Sequence, residues 1–389
     1  MDAGPTKGPF YGAISTDRER VLRTTALACS ECEQVSARSS PRSSTVTWRQ
    51  AASSGYGPLA SGAVQGPSLP WWVTCALGSE LVSDATVPQS MHPGQLTVSV
   101  ETVRALVADQ FPKWTNLFVE PVRSEGTVNA IFRLGDRLTA RFPLQPNDLS
   151  VARRFLQSEA EANRELVGRT RFPVPEPVAI GEPGYGYPLP WSIQTWLDGV
   201  TATIEDPGGS AKFAADLAEF ITDVRAIDTR GRLFSRPGRG GDLRTHDEWV
   251  KTCLRRSAGL VDVSRLSKIW QKLRDLPRTA PDLMTHGDLV PGNVLVSAGR
   301  LAGVLDCGGL RPADPALDLV GAWHLLETGP RRLLQDDLQC DDLEWKRGKA
   351  WAFEQALGLV WYYADTNPSM SRMGRRTLDR IIADEDLVG

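Results

Sequence analysis

Three oxygen-bearing side chains, Asp288, Asn293 and Asp306, stand in two short segments of the chain. One segment runs Met284-Thr-His-Gly-Asp-Leu-Val-Pro-Gly-Asn-Val-Leu-Val296, the other Gly303-Val-Leu-Asp-Cys-Gly308. The apolar runs Val294-Leu-Val296 and Val304-Leu305 read as strands, and Ala298-Gly-Arg300 between them reads as a tight turn. A strand pair of that length would carry Asp306 back to the loop holding Asp288 and Asn293. Phosphoryl transfer needs such a convergence, because its charge-spread transition state is served by positioning and electrostatics. Asp288 would accept or orient the proton of a substrate hydroxyl, while Asn293 and Asp306 supply the hard oxygen ligands that Mg²⁺ prefers.

The Gly287-Asp288 and Gly292-Asn293 pairs also echo metal-dependent phosphoesterases. That chemistry draws on several His ligands around two metals. The chain has only His92, His246, His286 and His324, with no Asp-x-His pair upstream, which excludes it.

Asp288 and Asn293 are five positions apart, as in the kinase loop H-R-D-x-x-x-x-N, and Asp306-Cys-Gly308 follows where D-F-G would stand. The loop here reads His-Gly-Asp. With D-x-G and Asp314-Pro-Ala-Leu-Asp-Leu319 after it, the segment resembles the aminoglycoside phosphotransferase family. The resemblance implies an α+β, bilobal protein-kinase-like fold with a small β-rich N-lobe and a larger, mainly helical C-lobe. It implies ATP or GTP with Mg²⁺ as cofactors and a small-molecule hydroxyl as acceptor, an aminoglycoside-like antibiotic being favoured. A kinase of a metabolite such as an amino sugar or amino alcohol, and a non-catalytic pseudokinase, are the alternatives. His286 would support the loop, and Asp318 would brace it.

The elements that must position this site lie upstream. Ala130 to Leu134 and Arg137 to Phe142 read as a hairpin turning at Gly135-Asp136. In a kinase this hairpin covers the nucleotide phosphates, so Ser124 and Thr127 in the preceding polar loop are expected contacts. The return strand should carry a phosphate-gripping cation. Arg141 stands there in place of Lys; it keeps its charge and offers a fork to phosphate oxygens. Asp148 to Val167 reads as a polar-rich helix, with Glu159 as candidate partner of Arg141 and Glu161 and Glu165 left open. Trp191 to Gly199 reads as a strand running into a connector; the resemblance implies that this is the hinge between lobes and that main chain near Thr195 and Leu197 would meet the base.

Elsewhere the period is helical. Ser99 is an expected N-cap, with Val103, Leu106, Val107 and Phe111 behind it. Phe213, Leu217, Phe220, Ile221, Val224 and Ile227 form a core-facing stripe, and Leu117 to Val122 reads as a strand. Leu233 to Thr245 is Arg- and Gly-rich and irregular, a lid or a plain loop. Leu343 to Tyr363 is a Trp-rich helix, Asn367-Pro368 a stop, and Arg375 to Ile382 a last helix.

The 389 residues carry a net charge of −3 and are 41% hydrophobic, values that call for neither a nucleic-acid surface nor a membrane partner. Six scattered Cys, including a lone Cys29-Ser-Glu-Cys32, point away from zinc and towards reduced thiols in a cytoplasmic protein. The expected organisation is a low-complexity extension over 1–90, disordered or preceding the true start, then a nucleotide-binding lobe over 91–196 and a helical lobe over 197–389. Oligomeric state has no signature in the sequence.

Overall fold

The computed structural model describes residues 94–388, apart from 123–127 and 236–237. The expectations for 1–90, and for Ser124 and Thr127, lie outside the described residues.

Helix α1 (Val100–Gln110) is capped by Ser99, whose side chain accepts from the amide of Thr102. It buries Val103, Leu106 and Val107 against a five-stranded antiparallel sheet. The strands are β1 (Val119–Val122), β2 (Asn129–Leu134), β3 (Leu138–Pro143), β4 (Pro177–Gly181) and β5 (Trp191–Thr195), in the spatial order β1-β2-β3-β5-β4. The first strand starts at Val119, later than the expected Leu117, because Leu117 still belongs to a turn and donates its amide to Trp114 O. The hairpin closes with Leu134 opposite Leu138.

Strand β3 is buried on both faces, and alternation sorts its side chains. Ala140 and Phe142 point into the aromatic core, where Phe142 stacks on Trp191 with centroids 4.8 Å apart. Arg141 therefore points the other way, towards helix α2 (Leu149–Leu166). That helix starts at Asp148, whose carboxylate accepts from the amides of Ser150 and Val151.

The second core is helical. Helix α3 (Ala211–Arg225) buries the stripe from Phe213 to Val224. Helices α4 (Asp247–Arg256) and α5 (Val263–Leu273) follow, then β7 (Leu283–Thr285). A three-stranded sheet is built from β6 (Val200–Thr201), β8 (Val294–Ser297) and β9 (Arg300–Val304). Strand β10 (Arg311–Ala313) pairs with β7. Asp314 then caps a 3₁₀ turn, Pro315–Leu319, that leads into helix α6 (Val320–Leu325). Helices α7 (Thr328–Leu338), α8 (Asp342–Tyr362) and α9 (Pro368–Val388) complete the chain. The expected stop at Pro368 is instead the first residue of α9: proline is well placed at a helix start, where its missing N–H costs nothing. Among the described residues no helix is long and apolar enough to cross a membrane.

Helix α8 is the axis of this region. It is buried on nearly every side from Trp345 to Val360, yet it carries Arg347, Lys349, Glu354 and Gln355. A buried charge is costly unless paired, and each of these has a partner. Arg347 lies 2.6 Å from Asp314, Lys349 2.6 Å from Asp384, Glu354 3.0 Å from His246, and Gln355 2.6 Å from Asp288. The last two contacts reach the site.

Helix α9 presses on α8 through Gly374. A Cβ there would stand 2.6 Å from the carbonyl oxygen of Ala356 and 3.0 Å from Leu359 Cβ. Alanine would gain about 1 kcal/mol in helix propensity, against about 1–3 kcal/mol for overpacking. The blocking atom is backbone and cannot swing aside. We therefore expect Gly374→Ala to lower the melting temperature; a raised one would mean that the two helices separate freely.

Candidate active site

The loop after β7 is pinned from below. Asp318, fully buried, accepts the amide of His286 at 2.8 Å and that of Gly287 at 2.7 Å, one on each oxygen. His286 is also fully buried; its Nε2 lies 3.1 Å from Leu305 O, and its Nδ1 lies 3.3 Å from the Asp288 amide. An amide can only donate, so Nδ1 is the acceptor and Nε2 carries the proton. His286 thus ties the loop holding Asp288 to the strand end that precedes Asp306.

Asp288 projects from this frame with 35% of its side chain exposed. Its Oδ1 takes two donors, Arg239 Nη2 at 3.0 Å and Gln355 Nε2 at 2.6 Å. Its Oδ2 takes one, Asn293 Nδ2 at 2.9 Å. A carboxylate offers about four lone-pair sites, so the free one is on Oδ2. The protein packed around Asp288 pushes its pKa up, but the Arg239 guanidinium leads the opposing effects and holds it below the ordinary value. The group is thus an anion suited to orienting a hydroxyl.

Asn293 and Asp306 flank one strand pair. Val294 is opposite Val304, and the Leu305 amide donates to Asn293 O at 2.7 Å. The amide nitrogen of Asn293 is taken by Asp288 O and Oδ2, so Oδ1 is the atom left for a cation. Asp306 has 47% of its side chain exposed and a left-handed backbone, φ 57° and ψ 52°. That conformation is uncommon outside Gly, Asn and Asp, and it leads the chain from β9 into the 3₁₀ turn Cys307–Gly309. The two oxygens suit Mg²⁺. Among the described residues no three His, Cys, Asp or Glu could hold a metal by themselves, so phosphate and water would complete the shell, as Mg²⁺ tolerates.

Arg141 reaches across from β3. Its Nη1 is paired with Glu159, and its Nη2 lies 3.7 Å from Asp306 Oδ1. Glu165 is occupied elsewhere, paired with Arg232 at 2.5 Å. Gly308 lies beneath Glu159; a Cβ there would come within 3.1 Å of Glu159 Cγ. At the connector, Thr195 donates its amide to Glu176 O at 2.9 Å and Trp196 donates to Arg137 O at 2.8 Å. Both amides are committed, so a base would be read there by carbonyls or by main chain from Leu197 onward. Leu197 packs over Gly303, where a Cβ would meet Leu197 Cδ1 at 3.2 Å and Pro173 O at 3.0 Å.

Arg239, Gln355 and His246 were not legible as site residues. Arg239 sits in the Arg- and Gly-rich loop, where no motif distinguishes it from its neighbours. Gln355 carried a faint signal, a polar residue inside an apolar helix. His246 holds the loop in place: Nδ1 is 3.0 Å from Glu354 Oε1, and Nε2 is 3.2 Å from Gly238 O. Both nitrogens face acceptors, which only the doubly protonated ring satisfies. Burial pushes its pKa down, but Glu354 outweighs it and the net direction is upward. A raised folded value gives stability that is complete below the unfolded pKa of about 6.5 and lost as pH rises through the folded value. The melting temperature of the native chain should therefore fall with pH in that window more steeply than that of His246→Gln; parallel curves would contradict this.

The model of the phosphotransferase enzyme family matches residues 120–351. An aminoglycoside 3'-phosphotransferase of Streptomyces fradiae is 33% identical over 186 residues, 43% of this chain and 64% of that protein. The chain spans 30 to 64% of the length of the curated relatives it matches. Among solved structures, the GDP complex of aminoglycoside 2'-phosphotransferase-IIIa superposes with a TM-score of 0.57 at 18% identity, covering 74% of this chain and all of that one. A macrolide 2'-phosphotransferase from Brachybacterium faecium gives 0.50 at 17%, covering 71% and 98%. These structural likenesses speak for the fold: a kinase-like α+β architecture with a sheet-bearing N-terminal and a helical C-terminal region.

Proposed function

From the premise that this chain belongs to the phosphotransferase enzyme family, we propose that it transfers the γ-phosphoryl group of ATP or GTP to a hydroxyl of a small molecule. The observation that carries this reading is the arrangement at Asp288: one free lone pair on Oδ2, beside an Asn293 whose amide nitrogen is already taken. The acceptor hydroxyl would donate to Oδ2, which orients it and receives its proton as the loose transition state collapses. Asn293 Oδ1 and Asp306 would hold Mg²⁺, which neutralises charge on the phosphate oxygens. Arg141, set by Glu159, would grip the nucleotide phosphates, with the segments over 91–196 and 197–389 supplying nucleotide and acceptor contacts. The cytoplasm, which holds both nucleotide and Mg²⁺, is the proposed setting.

An aminoglycoside-like antibiotic is the favoured acceptor, since the curated relatives carry that name. Arg239 favours a second reading. Its guanidinium stands 3.0 Å from the Asp288 carboxylate, and its Nη1 is buried with no hydrogen-bond partner among the described residues. Paired with Asp288, that charge offsets the anion of the site, which weakens its pull on a polycation and favours an acceptor with few ammonium groups, such as an amino sugar or amino alcohol. A screen of ATP and GTP consumption over aminoglycosides, macrolides, peptide antibiotics and amino sugars decides between them. Turnover with none of them, despite nucleotide binding, would leave the pseudokinase reading standing.

A further inference from the structure

We infer that Gln355 is a positioning residue for Asp288 and that His324 sets the sense of its carboxamide. The kinetic arm of this inference rests on the phosphotransfer reading; the spectroscopic arm does not.

Gln355 is 7% exposed on α8 and donates through Nε2 to Asp288 Oδ1 at 2.6 Å. An acceptor-only carboxylate demands that the amide nitrogen face it, so Oε1 must point away. It points at His324 on α6, whose Nε2 lies 3.2 Å away. Oε1 cannot donate, so His324 Nε2 must carry the proton. The other ring nitrogen, Nδ1, then accepts, and Thr377 Oγ1 on α9 is 2.9 Å from it. The same hydroxyl lies 3.0 Å from Met373 O, but that carbonyl has the i+4 amide of its own helix as donor. Among the described residues His324 Nδ1 has no other donor beside it.

His324 is 3% exposed and Thr377 fully buried, so water does not fill in for a missing partner. Burial, with the Arg239 charge next in effect, depresses His324 to about 3 and keeps the ring neutral. A neutral ring has two tautomers, and only one fits. With the proton on Nδ1, a bare Nε2 would face Gln355 Oε1. The carboxamide would turn over to relieve that clash and set Oε1 against Asp288 Oδ1. The chain Thr377–His324–Gln355–Asp288 thus carries one direction of donation from α9 to the loop. Its consequence is local: Oδ1 is fixed by Gln355 and Arg239 together, and the plane of the carboxylate leaves the free lone pair on Oδ2.

The test uses the full chain. ¹⁵N NMR of the native protein should show His324 protonated on Nε2 and bare on Nδ1 at neutral pH; the reverse pattern overturns the inference, whatever the enzyme phosphorylates. Kinetics use the panel compound that gives most ATP turnover. Gln355→Leu should lower kcat by about 10²-fold, the cost of a misplaced reacting group, with the KM for ATP unchanged. His324→Phe should give the same signature. The two together should cost no more than either alone, since His324 acts only through Gln355. Additive losses, or a loss expressed in the KM for ATP, would assign both residues a merely structural role. If no panel compound is phosphorylated, the phosphotransfer reading fails while the tautomer result still decides the relay.

Discussion

Asp288→Asn should lower turnover by about 10²- to 10⁴-fold, the usual worth of a positioned acid–base group, with nucleotide affinity close to that of the native chain. The substitution keeps shape and volume but not acceptor capacity. Oδ1 of Asp288 receives Arg239 and Gln355, so the single oxygen of an asparagine would take that place. Its NH₂ group would then occupy the Oδ2 position, donor against the Nδ2 of Asn293. The lone pair proposed for the acceptor hydroxyl is lost along with the charge. Arg141, Glu159 and Asp306 are untouched, so nucleotide should bind. Steady-state kinetics with a parallel nucleotide titration reads both quantities, and near-native turnover would remove Asp288 from the chemistry.

The second large effect belongs to Asp306→Asn. Asparagine tolerates the left-handed conformation of this residue, and the side chain is half exposed. Folding should therefore be little changed, and the loss should fall on the metal. Replacing a charged ligand should cost at least the ~10- to 100-fold in metal affinity that outer-shell partners cost. Nucleotide binding and turnover should fall together, and raised Mg²⁺ should restore part of both. Rescue by metal in this variant, and its absence in Asp288→Asn, separates ligand from hydroxyl-orienting group. An Mg²⁺ dependence identical to that of the native chain would move the ligand elsewhere.

How far the sequence carried these assignments depends on how local each contact is. The loop from His286 to Asn293 and the strand pair leading to Asp306 are contiguous and short, so residue types and spacing sufficed to expect these side chains near one another; the structure pairs Asn293 with Asp288 and bonds its carbonyl to the Leu305 amide beside Asp306. Arg141 followed from its place on the return strand of the hairpin, where a kinase carries its phosphate-gripping cation. Its candidate partner was Glu159, with Glu161 and Glu165 left open, because adjacent turns of a polar helix look alike until the helix is docked; the structure pairs Arg141 with Glu159. Helix α9 was placed seven residues late, since Pro368 reads equally as a stop or as a first turn. Arg239, Gln355 and His324 lie 49, 67 and 36 positions from Asp288 by sequence number, and nothing local specifies contacts of that span. They depend on how the irregular loop before His246 and the buried helix α8 pack together. That packing rests on paired charges, such as Arg347 with Asp314, which no periodicity reveals.

The central claim is that a phosphoryl group leaves a nucleoside triphosphate for a hydroxyl oriented by Asp288. The most direct measurement follows label from the γ position of ATP or GTP, in the presence of Mg²⁺ and each panel compound, and locates it by ³¹P NMR. The account predicts a phosphate monoester on one hydroxyl of one acceptor class, formed about 10²- to 10⁴-fold more slowly by Asp288→Asn than by the native chain. Label that stays in the nucleotide while the nucleotide is bound, or that passes to an acceptor equally well in Asp288→Asn, would contradict it.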